Sequence, residues 1–358
     1  MENKQRYDSI DFLRLLAAIA VVVIHAWPFA TYSSSLGISV QSACRFAVPF
    51  FFMVSGFFVS KSISKVDDKV ALVAYLKRYS LRLLQLYMIW WVIYIPLTLT
   101  RWNGVNRLAG LEGLELIKAT LKLYVFSFFT GSTFLGSWYI SATLIGCWIV
   151  FYLFRKLGNG PKFTISLIIL LAILSLENIG KIMLDSEWLS VYEAFRLKVM
   201  IPSQSFVMAV PLLIWGHLIN TWENKLNKIP LPMLVTLFLI FNYATMRENL
   251  YWNGLKGQFL NDELFFGVLA AVLLMLIGTN LDARKLQIPC ASYLRMLSSF
   301  MYVAQFGIIV LLRTVARHGI LTNSLTRFYI TMISIIVLFA VMNWLVTNKK
   351  VTFLKRLW

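Results

Sequence analysis

The chain has 358 residues, of which 59% are hydrophobic and 14% charged, with 34 Lys+Arg against 16 Asp+Glu and a formal net charge of +18. Apolar runs of about 20 residues, the length that crosses a hydrocarbon core, recur along the whole sequence, which excludes a soluble α/β enzyme of alternating strand and helix patterns. In a multi-pass membrane protein the basic excess reads as loop bias and attraction to anionic headgroups, so no nucleic-acid partner is expected.

The apolar runs fall at about 10–30, 42–60, 79–99, 134–154, 163–181, 203–221, 229–246, 262–280, 293–315 and 325–346. They predict an all-α, polytopic membrane protein of about ten transmembrane helices, with 1–358 as a single membrane domain. The connectors on the N-terminal side carry more Lys and Arg than those on the other side, which places both termini in the cytoplasm. A further stretch, Leu114 to Phe129, carries Lys118 and Lys122 one turn apart among apolar residues and reads as an interfacial amphipathic helix. The first run is too long for a signal-peptide core and no cleavage pattern follows it, so it is expected to stay in the protein. Cys44, Cys147 and Cys290 are an odd, scattered set, for which neither a disulfide nor a metal site is expected.

Ionisable residues inside such runs are costly, so they are the first functional candidates. In the first run, Arg14 and His25 are eleven residues apart, which puts them within about 20° of one helix face and about 16 Å apart along the axis. Asp11 lies one turn before Arg14 and is placed to pair with it. Arg14 reads either as such a buried pair or as an arginine reaching back to the headgroups, and His25 either as a structural histidine or as a base. In the second run, Arg45 lies about one turn in from the outer boundary, a depth that matches His25. Pro49 is expected to open the backbone ladder just below it. Lys77, Arg78 and Arg82 open the third run, as cytoplasmic anchors or as a cradle for a phosphate-bearing donor. Trp138, Ser141, Tyr302 and Gln305 are the polar and aromatic candidates of later spans, which belts and helix–helix glue also explain. His217 and His318 read as structural or solvated.

The order of these features resembles a known family: ID-LR with a later histidine, CRFAVPFFFMVSG, a basic start to the third span, and WYISA. The chain resembles the acyltransferase-3 family of bacterial integral-membrane acyltransferases, most specifically over residues 7–60 and 136–142. The HAWPF and CRFAVPFFF wording resembles the membrane half of the serine/alanine racemases of vancomycin-resistant bacteria, and this sequence contains no racemase half. The resemblance implies a multi-pass protein of the bacterial cytoplasmic membrane that moves an acyl group, usually acetyl, from cytosolic acyl-CoA to a hydroxyl of an envelope glycan or lipid-linked sugar. It implies His25 as general base, Arg45 as the group that holds developing negative charge, and Arg14 and Arg82, with Lys77 and Arg78, around the CoA donor. Trp138, Ser141, Tyr302 and Gln305 would then contact the acceptor. Gln305 stands where many members carry a histidine, and glutamine cannot move a proton. The alternative class is a transporter of a small amino acid such as serine, or a glycan exporter, with Arg45 binding a carboxylate and His25 titrating with a coupled proton. The sequence leaves the oligomeric state open.

Overall fold

The computed structural model describes residues 6–32, 34–64, 66, 68–108, 110–130, 137–180, 185–198, 200–256 and 264–358, and among these it is helical with no strand. The first residues of the run 134–154 lie outside the described residues. The helices that build the bundle are α1 (Asp8–Ala26), α2 (Ser34–Ala43), α3 (Ala47–Ile63), α4 (Lys69–Ile93), α5 (Ile95–Leu108), α6 (Gly113–Thr130) and α7 (Ser137–Trp148). They continue as α8 (Asn159–Ser175), α9 (Ser186–Lys198), α10 (Phe206–Thr221), α11 (Leu231–Lys256), α12 (Phe265–Ala283), α13 (Ala291–Arg317) and α14 (Ser324–Asn348). Among the described residues, seven helical segments are long and apolar enough to cross a membrane. The other three apolar runs fall on α4, the shorter apolar α10, and α11.

Helix α1 is a run of Leu, Ala, Val and Ile that ends before Pro28, with Trp27 in the left-handed region at φ 52°. Its free N-terminal amides are not left to water. Asp282, in the last turn of α12, accepts from the Ser9 amide at 2.7 Å and the Ile10 amide at 3.2 Å. At the other end of α12, Glu248 of α11 accepts from the Phe265 and Phe266 amides at 2.8 and 3.0 Å. Two buried carboxylates therefore cap helices by satisfying first-turn donors and the positive end of the dipole. Tyr7, Lys61 and Glu223 gather at the end of the bundle where the N-terminus lies, the proximal end. Pro28 and Ser324 meet at the opposite, distal end.

The second apolar run differs from expectation. It is two helices with a turn at Cys44 to Phe46, held by short-range bonds such as Arg45 N–H to the Ser42 carbonyl at 3.0 Å. The break lies at Arg45 itself and not below it. Pro49 has no N–H for the Arg45 carbonyl and its ring crowds that carbonyl, which disfavours an unbroken helix through this point. The chain restarts at Ala47, which places Pro49 in the first turn of α3, where a missing donor costs nothing.

The centre of the bundle is the α3–α10 contact, where Phe50, Phe52, Met53 and Phe57 meet Leu212, Leu213 and Ile214, all fully buried. The two backbones touch. A Cβ at Gly56 would overlap the Leu213 carbonyl, and one at Gly216 would overlap the Met53 carbonyl. Reciprocal glycines of this kind let helices approach to van der Waals contact where no water is present to drive association.

Candidate active site

The proximal half holds a cavity of about 240 Å³ lined by Asp11, Arg14, Val54, Ser55, Phe58, Val59, Tyr75, Tyr79 and Arg295. Asp11 is its pivot: Arg14 Nη1 stands 3.6 Å from one carboxylate oxygen, and Arg295 Nη1 donates to the other at 3.2 Å. Asp11 is buried while Arg295 is half exposed, so one negative charge holds two guanidiniums at a wet boundary. Net positive charge remains in the cavity. Arg14 Nη2 also reaches Ser299 at 3.5 Å, a long contact, and its Nε is buried with no hydrogen-bond partner among the described residues. The pairing of Asp11 with Arg14 follows from their spacing on one helix. Arg295 was not legible as a site residue, because it lies on α13 and only the parallel packing of α1 and α13 brings it to Asp11.

The basic residues of α4 lie on its exposed side. Lys77, Arg78 and Arg82 are exposed, and Tyr75 and Tyr79 of the same helix line the cavity instead. They flank the mouth on the helix that forms one wall.

Beyond the cavity, towards the distal end, stands an aromatic block. Tyr139 shares hydroxyl contacts with Ser55 Oγ at 2.9 Å and donates to the Phe51 carbonyl at 3.1 Å, and its ring lies 5.3 Å from Tyr302 and 4.6 Å from Phe52. Trp138 packs on Phe52 at 5.7 Å, and Ser141 bonds back to the Trp138 carbonyl at 3.0 Å within its own helix. Tyr302 is buried in this block. Gln305 is fully buried; its Nε2 donates to the Tyr302 carbonyl at 2.9 Å and its Oε1 has no partner among the described residues. The structure thus joins Tyr302 and Trp138 through Tyr139 and Phe52, whereas Gln305 and Ser141 each bond back within their own helix. Tyr139, the tyrosine of WYISA, links the cavity to the block through Ser55 and Tyr302.

His25 lies in the last turn of α1, half-buried. Side chains from two other helices hold the carbonyls of this turn: Gln41 Nε2 donates to the Ile24 carbonyl at 2.7 Å, and Arg313 Nη2 to the His25 carbonyl at 2.5 Å. Cations and amides here satisfy the unpaired carbonyls and the negative end of the helix dipole. Arg45, which is 8% exposed, follows Gln41 by one turn, so the Gln41–Ile24 bond brings the Arg45 segment to the His25 end of α1. At the proximal end His217 Nδ1 meets Ser60 at 2.7 Å and Nε2 meets Lys162 at 3.2 Å.

Asp11 and Arg14 near the start of α1 and His25 in its last turn are thus separated along that helix by an apolar stretch, Leu15 to Ile24. A family model described as an acyltransferase domain matches residues 7–344. The chain belongs to the acyltransferase-3 family. Two relatives from Enterococcus faecalis, each called an amino-acid racemase, are similar to parts of it. One is 26% identical over 248 residues, 69% of this chain and 32% of the relative. The other is 32% identical over 159 residues, 43% of this chain and 20% of the relative. The chain therefore spans no more than a third of the length of either racemase, and the likeness to such racemases read from the first two spans is borne out. No solved structure matches the chain.

Proposed function

We propose that this membrane acyltransferase moves an acyl group, acetyl in the simplest case, from cytosolic acyl-CoA to a hydroxyl of a cell-envelope sugar or glycan. The observation that carries the reading is the proximal cavity, in which one buried carboxylate orients two guanidiniums and leaves net positive charge. Guanidiniums suit phosphate and carbonyl oxygens, which ammonium groups grip less directionally. The exposed Lys77, Arg78 and Arg82 outside it would meet the nucleotide phosphates while the acyl-pantetheine arm enters past Tyr75 and Tyr79 towards the aromatic block.

At the distal end, neutral His25 would take the proton of the acceptor hydroxyl as its oxygen attacks the thioester carbonyl. The C–S bond then breaks, and CoA leaves as a thiol once its sulfur has taken up a proton. Arg45 would hold the charge that develops on the carbonyl oxygen. Trp138 and Tyr302 offer rings for a sugar to lie against, and Gln305 Oε1 a buried acceptor for one of its hydroxyls.

Thiol release from acetyl-CoA by the purified protein in lipid vesicles, with and without envelope-glycan extract, tests the reading. Release should require the extract and fall by about 10²–10⁴-fold in His25→Ala. Undiminished release in that variant removes His25 as the base. Serine accumulation without any thiol release points to transport instead.

A further inference from the structure

Two buried polar atoms at the distal end of α1, Trp27 Nε1 and Gln41 Oε1, have no hydrogen-bond partner among the described residues. One is a donor and the other an acceptor. They belong to one helix contact: a Cβ at Gly37 of α2 would stand 2.7 Å from Trp27 Nε1, and Gln41, one turn further along α2, bonds the Ile24 carbonyl at 2.7 Å. Ile24 and Trp27 are i,i+3 at the end of α1, and Gly37 and Gln41 are i,i+4 on α2, so both atoms lie where the helices meet. The amide orientation is fixed by chemistry, because a flipped Gln41 would set oxygen against the Ile24 carbonyl. Each orphan costs about 1–3 kcal/mol if left unmet. A hydroxyl supplies both an acceptor oxygen and a donor hydrogen, the complement of one orphan donor and one orphan acceptor. Trp27 also holds a left-handed backbone, φ 52°, which is uncommon outside glycine and concentrates at binding sites.

We propose that Trp27 Nε1 and Gln41 Oε1 form a subsite for one hydroxyl of the acceptor, the indole donating to its oxygen and the amide accepting its proton. His25 lies between Ile24 and Trp27 in the chain, so the subsite sits at the same end of α1 as the proposed base. An acceptor held here while it reacts carries at least two hydroxyls, as a sugar or other polyol does. This deepens the acyltransferase reading and rests on it.

The test uses acetyl-CoA, methyl β-D-glucopyranoside and its four monodeoxy analogues with the full-length protein in vesicles. Trp27→Phe, which keeps the ring and removes only the N–H, should raise KM for the glucoside about tenfold, the worth of one hydrogen bond, with kcat within twofold and KM for acetyl-CoA unchanged. One deoxy analogue should show the same rise with the wild-type protein, a readout that needs no variant. Unchanged KM in both comparisons, whatever the melting temperature of Trp27→Phe, overturns the subsite and leaves the two atoms to bound water. A wild-type protein that cleaves no thioester fails the acyltransferase reading separately. Equilibrium binding of the same glycosides to wild type and Trp27→Phe then decides the subsite: tenfold weaker binding supports it, and equal or absent binding overturns it.

Discussion

Asp11 holds Arg14 and Arg295 on its two oxygens, and removing its charge leaves two guanidiniums facing each other across a cavity wall. Asp11→Asn should destabilise the protein by about 1.5–3 kcal/mol, the range for hydrogen bonds to charged groups, and raise KM for acyl-CoA, both measurable in detergent and in vesicles. Arg295→Ala should raise KM for acyl-CoA without unfolding the protein, since that side chain is half exposed; an unchanged KM would take Arg295 out of the donor site. At this scale the sequence was partly legible. The Asp11–Arg14 pair could be read because helical spacing is local. Arg295 could not, and neither could Asp282 and Glu248 as helix caps, because each acts on a residue that is near only after folding.

Among the elements, the α2–α3 break and the α3–α10 contact set the site. The proline at position 49 was legible as an interruption, but the chain resolves it by restarting the helix two residues earlier, which puts Arg45 in the turn. Gly56 and Gly216 carry the closest approach of the bundle, and a methyl at either position meets a carbonyl oxygen of the partner helix. Gly56→Ala should therefore lower the melting temperature and the yield of folded protein far more than a Gly160→Ala control, whose added Cβ meets nothing within 4 Å. A melting temperature equal to that of the control would show that α3 and α10 are not packed this closely. The stretch from Leu114 to Phe129 is helical as read, within α6, and leaves Leu114, Ile117, Leu121, Val125 and Phe126 exposed along it. That face fits a helix lying in a lipid interface.

For the whole molecule, hydrophobicity made the fold class legible, because runs of this length and apolarity leave few alternatives to membrane helices. Lateral order was not legible: α1 packs beside α13, and no local pattern encodes that choice. Sidedness can be read through Cys290, which is exposed at the start of α13, two residues after Ile288, whose amide lies 3.4 Å from Asp8 at the proximal end. In a Cys44→Ser, Cys147→Ser background, a membrane-impermeant maleimide should label Cys290 in inverted membrane vesicles and not in intact cells. Labelling in intact cells alone would reverse the orientation.

In the proposed mechanism an acyl-CoA donor engages the proximal cavity while His25 acts on the acceptor at the distal end. Sealed inverted vesicles supplied externally with radiolabelled acetyl-CoA test it most directly, by following label into envelope glycan in wild type, Arg14→Ala and His25→Ala. The wild type should transfer label, Arg14→Ala should raise KM for acetyl-CoA, and His25→Ala should lose turnover while retaining donor binding. Donor binding lost in His25→Ala but unchanged in Arg14→Ala would contradict this mechanism.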